Sequence, residues 1–228
     1  MINNKEKEKM IKSVKNYLTN FIKTEKDKEN VRIILNAIEY IDRKFYIKEY
    51  SYVDSAIPIG YNQTISQPST VARMLMLLDL NKKDNVLEIG TGSGWNASLM
   101  AYIVYPGKVL SLDIIYELIL QAKENVMNLQ KNTNHGIKSC LDHIEFKKIN
   151  ILTQINSWTE KYNKIIFTAG IKESQKELIY NIANKLLKDN GKLIFPYTQG
   201  PIIILEKKNN IIKEKSTNEN YVFVPLLK

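Results

Sequence analysis

The order of apolar and polar residues changes its period along the chain. Through residues 5–45 the apolar side chains Met10, Val14, Leu18, Phe21 and Ile22, then Val31, Ile34, Leu35 and Ile38, recur at three-to-four spacing. That spacing gathers them on one face of a helix, so helical structure with a polar outer face is expected there. Residues 50–68 lose the periodicity and are punctuated by Pro58, Gly60 and Pro68. A long irregular segment inside a compact domain is commonly functional. Pro68 suits the first turn of a following helix, with Val71, Met74, Leu75 and Leu78 on its inner face.

From Asn85 onward, strand and helix patterns alternate. Short apolar runs at 86–89, 109–112, 144–148, 164–168 and 192–195 predict strands, and residues 95–104, 116–129 and 174–187 predict helices. Residues 202–205 and 222–224 flank a polar, lysine-rich turn, as the two arms of a hairpin would. Such alternation predicts an α/β fold whose sheet is mostly parallel, with helices on both faces and an antiparallel C-terminal hairpin. No internal repeat or linker divides the chain. One domain over 1–228 is expected, with a helical N-terminal extension (1–48), an irregular segment (49–80) and an α/β core (81–228).

Composition narrows the picture. With 228 residues, 44% hydrophobic and 25% charged, the chain reads as ordinary globular protein. No run reaches the roughly 18 apolar residues that span a bilayer, and the first residues lack the apolar core of a signal peptide. A lone cysteine, Cys140, makes no internal disulfide. The cytoplasm is the expected compartment. The formal charge of +9 raises nucleic acid as a partner. However, the lysines interleave with acids, as in Lys5-Glu6-Lys7-Glu8-Lys9, the pattern of a solvated helix face. His135 and His143 lie in a polar stretch and are expected at the surface.

The chemistry begins at Val86-Leu87-Glu88-Ile89-Gly90-Thr91-Gly92-Ser93-Gly94, a strand running into a glycine-rich turn before a helix. Glycines there let a ligand approach bare main chain. A dinucleotide fingerprint would need its third glycine at Trp95, and a P-loop would need a lysine followed by Ser or Thr. Neither is present. The arrangement Glu88, Gly90, Gly92, Gly94 resembles motif I of class I methyltransferases, which implies S-adenosylmethionine as cofactor and a Rossmann-like sheet. Asp113 ends the second strand, nineteen residues past Gly94, where a carboxylate can accept both hydroxyls of a ribose. Glu88, Gly90, Thr91, Gly92, Ser93, Gly94 and Asp113 are thus the cofactor candidates. Nothing in the sequence calls for a metal.

The preceding segment adds a second resemblance. Asp42-Arg43-Lys44-Phe45, the run from Tyr52 through Gly60, Gln63-Thr64-Ile65-Ser66-Gln67-Pro68 and Val71-Ala72-Arg73-Met74 resemble protein-L-isoaspartate O-methyltransferases. Weaker matches follow at Ile165-Ile166-Phe167-Thr168-Ala169, at 190–196 and at 222–226, so the likeness covers roughly residues 37–228. It implies methylation of isoaspartyl residues in damaged proteins or peptides, with repair through a succinimide. It assigns the substrate carboxylate to Ser66 and Thr64, and places Gln63 and Ile65 with the cofactor. Ser66 lies just before the expected helix start, where it would serve as an N-cap or, with amide donors and the helix dipole, cradle an anion. A free carboxylate is ionised at neutral pH, so no general base is required.

Two positions depart from the family. Its aspartate near the adenine, after the third strand, is Asn150 here, whose carbonyl would meet the adenine amino group without a charge. Another family aspartate, before the fourth strand, is Asn163. Three other readings compete with this one. A nucleic-acid methyltransferase would carry an Asn/Asp-Pro-Pro-aromatic loop or a Pro-Cys nucleophile. The chain instead has Phe167-Thr168-Ala169-Gly170 and Ser139-Cys140-Leu141. A carboxyl methyltransferase acting on normal aspartate of a dedicated peptide would share every feature above. A non-catalytic binding protein on the same fold finds support only in Asn150.

Overall fold

Two amphipathic helices open the chain, as the apolar spacing predicts; the computed structural model describes residues 2–227. Helix α1 (Ile2–Thr19) buries Met10, Val14 and Leu18, and α2 (Glu25–Tyr40) buries Val31, Ile34, Ala37 and Ile38. A capping box starts α2: the Thr24 hydroxyl accepts from the Asp27 amide while the Asp27 carboxylate accepts from the Thr24 amide. These reciprocal bonds satisfy donors that the first helical turn leaves unpaired.

The segment expected to be irregular contains a small antiparallel hairpin. Strand β1 (Ile57–Gly60) pairs with β2 (Gln63–Ile65) through a two-residue turn at Tyr61-Asn62. Both turn residues have positive φ, 54° and 56°, the handedness that matches strand twist in a tight hairpin. Helix α3 (Pro68–Leu78) follows within the predicted bounds. Its N-cap is Gln67, not Ser66, and Gln67 makes no side-chain capping bond.

The α/β core then runs β3 (Asn85–Ile89), α4 (Trp95–Val104), β4 (Lys108–Asp113), α5 (Tyr116–Lys131), α6 (His135–Leu141), β5 (Ile144–Lys148), α7 (Ile151–Gln154), β6 (Tyr162–Phe167), α8 (Lys176–Leu186) and β7 (Leu187–Pro196). It closes with β8 (Gln199–Gly200), β9 (Ile202–Lys208), β10 (Ile211–Ser216) and β11 (Tyr221–Val222). Seven strands form one sheet in the order β10-β9-β7-β6-β3-β4-β5. The five strands from β7 to β5 are parallel, and β9 and β10 add antiparallel. The expected C-terminal hairpin exists with a different second arm: β9 pairs with β10, whereas Tyr221–Val222 pairs with Gln199–Gly200. The sheet ends in β10 and β5, whose exposed residues include Lys213, Lys215, Lys147 and Lys148.

Successive residues of a strand point to opposite faces, and the sheet uses this to build two cores. Ile166, Ile194 and Ile204 face helices α1 to α6, while Ile165, Phe167, Leu193, Phe195, Ile203 and Leu205 face α8 and α7. Each such fully buried side chain contributes about 1.5–3 kcal/mol relative to exposure. Chain order reverses between β3, which leads to β4 and β5 on one side, and β6, which leads to β7 on the other. A crevice opens at the carboxyl ends of strands beside such a switch point. The glycine turn after β3 lies there.

His135 is exposed, as expected. His143 differs: it is half-buried, its Nδ1 lies 3.1 Å from the Gly107 carbonyl oxygen, and its ring meets Tyr105 edge-on.

Candidate functional site

The glycine turn is stitched to the end of the neighbouring strand. The amides of Gly90 and Thr91 both donate to the Leu112 carbonyl, at 2.8 and 3.1 Å. Asp113 accepts from the Gly92 amide through Oδ2 at 3.1 Å and from the Ile115 amide through Oδ1 at 3.0 Å. Each carboxylate oxygen keeps a further lone pair for a ligand hydroxyl. Gly90 has φ +105°, and a Cβ there would overlap the Thr168 hydroxyl, which donates to the Gly90 carbonyl at 2.6 Å. A Cβ on Gly94, φ +83°, would press on Ala122 of α5. The first position thus needs glycine for the β6 loop and the last for helix packing.

Glu88 is placed differently from the expectation that it meets the cofactor. It is fully buried beneath the turn and lines neither chamber of the crevice. Its Oε2 accepts from Ser111 Oγ at 2.5 Å and its Oε1 from Asn96 Nδ2 at 2.7 Å. Ser111 Oγ in turn lies 2.7 Å from the Thr91 hydroxyl. Glu88 therefore joins β3, β4, α4 and the glycine turn from below. Burial pushes its carboxyl up to about 7, against the hydrogen bonds from Ser111 and Asn96, and the nearby charge of Asp113 adds to the rise.

The crevice has two chambers. The first, about 620 Å³, is lined by Gln63, Thr64, Ile65 and Ser66 on one side and by Gly90, Thr91, Gly92, Ser93 and Asp113 on the other. The second, about 450 Å³, is an apolar slot between Ile114, Ile115, Ile149 and Leu152, with Asn150 at its wall. Gln63, Gly90, Asp113 and Ala169 line both and mark their junction. Ten of the twelve residues singled out from sequence therefore converge on one crevice. The other two, Glu88 and Gly94, support its wall. Among the described residues no cluster of three or more His, Cys, Asp and Glu could hold a metal.

Asn150 also differs from expectation. Its side-chain oxygen caps α7 by accepting from the Leu152 amide at 3.1 Å, which leaves the NH2 as the group not yet engaged.

Ser66 has no side-chain partner in the protein among the described residues. Its carbonyl is held by Arg43, a fully buried residue whose Nη2 donates to Ser66 O at 3.2 Å and Ser55 O at 3.3 Å. The Nη1 of Arg43 donates to Ser51 O at 2.9 Å and Val53 O at 3.4 Å. The guanidinium lies over the Trp95 ring, 5.2 Å from its centroid. Burial pulls its pKa down to about 10, opposed by the charge of Asp54, so it stays protonated at neutral pH. Sequence reading missed Arg43 as an organiser because arginine is ordinarily expected at the surface. Trp95, Asn96, Thr168 and Val224 also line the first chamber. Of these, only the segments around Thr168 and Val224 carried a sequence signal.

The family described as Protein-L-isoaspartate(D-aspartate) O-methyltransferase matches residues 5–228. A protein-L-isoaspartate O-methyltransferase from Pyrococcus horikoshii is 35% identical over 205 residues, covering 86% of this chain and 83% of that relative. One from Fervidobacterium nodosum is 34% identical over 203 residues, covering 84% and 92%. A solved structure of a Plasmodium falciparum protein of that description, in complex with S-adenosyl-L-homocysteine, superposes with a TM-score of 0.73 at 21% identity, covering 96% of this chain and 97% of that one. At that identity the likeness speaks for the fold alone.

Proposed function

The chain belongs to the protein-L-isoaspartate(D-aspartate) O-methyltransferase family, and from that premise we propose that it methylates the free carboxylate of L-isoaspartyl residues in proteins and peptides, with S-adenosylmethionine as donor. The observation that carries this reading is the free hydroxyl of Ser66 in the same chamber as the glycine turn, next to an apolar slot joined to it at Asp113.

In this reading the slot between Ile115 and Ile149 takes the adenine, Asp113 accepts the ribose hydroxyls, and the bare backbone at Gly90 and Gly92 lets the methionyl arm lie close. Gln63 and Ile65 close the crevice from the hairpin side. S-adenosylmethionine supplies an electrophilic methyl group on a positively charged sulfur. Ser66 and Thr64 orient the substrate carboxylate toward it. The carboxylate is already ionised at neutral pH, since free carboxyls titrate near 3.3–3.9, and no protein base has to act. Alignment of two groups in a site that excludes water supplies the acceleration. Collapse of the ester to a succinimide, and its hydrolysis, follow off the enzyme. Residues 49–80 act as the substrate segment and 81–228 as the cofactor core of a single domain. No described helix is long and apolar enough to cross a membrane, and the one cysteine, buried and unpaired, suits the reducing cytoplasm.

The test is methyl transfer from labelled S-adenosylmethionine to two peptides that differ only in aspartate against isoaspartate. Base-labile label on the isoaspartyl peptide alone is expected. Ser66→Ala should lower kcat/KM for that peptide by about ten- to a hundredfold, the worth of a hydrogen bond to a charged group, with S-adenosylhomocysteine binding unchanged. Label on the aspartyl peptide at equal rate, or on neither, would overturn the assignment.

A further inference from the structure

Helix α3 solves a common problem in an unusual way. The first amides of a helix lack intrahelical acceptors, and the side chain of the N-cap residue ordinarily supplies one. Here Pro68 occupies the first helical position and has no N–H, so Ser69 carries the first amide needing a partner. Neither Gln67 nor Ser66 provides it. The acceptor is Asp54, fifteen residues upstream, whose Oδ1 lies 2.9 Å from the Ser69 nitrogen.

Asp54 is itself held in place. Its Oδ2 accepts from Ser13 Oγ of α1 at 3.0 Å, and it attracts the buried guanidinium of Arg43. Arg43 in turn grips the Ser66 carbonyl at 3.2 Å. The turn carrying Ser66 is thus fixed at its own carbonyl by Arg43 and three residues on by Asp54. The tie to Ser13 also gives the N-terminal helix α1 a part in the site it does not line.

We infer that Asp54 is a positioning residue for the substrate carboxylate: by capping α3 from a distance it leaves the Ser66 hydroxyl free for the substrate. This deepens the function proposed above and rests on it. Without Asp54, the acceptors nearest the orphaned Ser69 amide in sequence are the side chains of Ser66 and Gln67. A serine turned inward to cap its own helix takes a different rotamer, which carries away the hydroxyl proton that would donate to the substrate carboxylate.

The test compares Asp54→Ala with Asp54→Asn, which keeps an acceptor for Ser69 and offers Ser13 a donor. D54A should raise the KM for the isoaspartyl peptide roughly tenfold, in the range that loss of a helix cap produces, while the S-adenosylhomocysteine Kd stays within about twofold. D54N should recover most of that loss. Equal damage in D54A and D54N, or a cofactor Kd that weakens in step with the peptide KM, would overturn the inference. Hydrogen exchange gives a readout independent of activity: the Ser69 amide should exchange about tenfold faster in D54A and stay protected in D54N. Unchanged Ser69 exchange in D54A overturns the inference whatever the kinetics. Absence of isoaspartyl methylation by the wild-type protein instead sinks the functional reading, with the Ser69 amide still reporting on the cap.

Discussion

Replacing Glu88 by glutamine removes a carboxyl that titrates inside the core, beneath the glycine turn. Burial lifts its pKa from the ordinary 4.5 to about 7. At about 1.4 kcal/mol per pKa unit, the whole shift is worth about 3 kcal/mol. The sign follows from proton linkage. The folded protein holds this proton more tightly than the unfolded chain does. Glu88 therefore costs nothing below about pH 4.5, where both states are protonated, and its cost is complete once pH has risen through the folded value. Between pH 5 and 8 the wild-type protein should lose about 2–3 kcal/mol of stability on this account alone.

Glutamine has the same shape and can satisfy the same neighbours. Its oxygen can accept from Asn96, and its NH2 can donate to Ser111, whose own proton then turns to Thr91. Urea denaturation followed by tryptophan fluorescence at several pH values gives the comparison directly, from midpoint and slope. The wild-type curve should fall with rising pH more steeply than that of Glu88→Gln, and the variant should be the more stable of the two at pH 8. Parallel curves would refute the reasoning. They would mean that Ser111 and Asn96 solvate the carboxylate well enough to keep it ionised throughout.

Two further perturbations probe the crevice. Gly90→Ala should weaken S-adenosylhomocysteine binding at least tenfold in a calorimetric titration and cost about 1–3 kcal/mol of stability for a side chain at positive φ. Adding Thr168→Ala should return part of both losses, because the steric overlap is relieved while the backbone strain remains. Asn150→Asp should tighten cofactor binding severalfold, since one carboxylate oxygen can cap Leu152 while the other accepts from an adenine amino group, a charge-assisted bond. Unchanged or weaker binding in that titration would show that the adenine does not reach residue 150.

The parts of the fold visible in the sequence are those written in local pattern. The inner strands of the parallel sheet are largely apolar on both faces, and Gly90, Gly92 and Gly94 announce a turn by composition. Pro68 marks the helix start to the residue. Hidden features depend on contacts between distant segments. The β1–β2 hairpin escaped because its turn is Tyr61-Asn62, without the Asn-Gly or Asp-Gly pair that usually signals positive φ, and because Pro58 sits within its first strand. The arm paired with β9 is not legible in the sequence because Ile211–Ser216 is an almost wholly exposed edge strand rich in charge, so it lacks the apolar alternation that identifies a strand. Glu88 looks like a ligand-facing acid from its motif. Only the packing of Ser111 and Asn96 around it reveals a buried strut. The capping of Ser69 by Asp54 spans fifteen residues and follows no local rule.

The lysines on the two outermost strands have a bearing on what this protein can safely touch. An open sheet offers unpaired amides and carbonyls along both margins, a template on which another extended chain can add itself. Here β10 presents Lys213 and Lys215, and β5 presents Lys147 and Lys148, in exposed positions along those margins. To pair there, an incoming strand would have to crowd or desolvate these charges. The proposed substrates are damaged proteins and peptides, and any of them with exposed backbone is the kind of chain most prone to such addition. A protein that must repeatedly meet sticky clients is served by margins that turn them away, leaving the crevice at the strand ends as the place where contact is made.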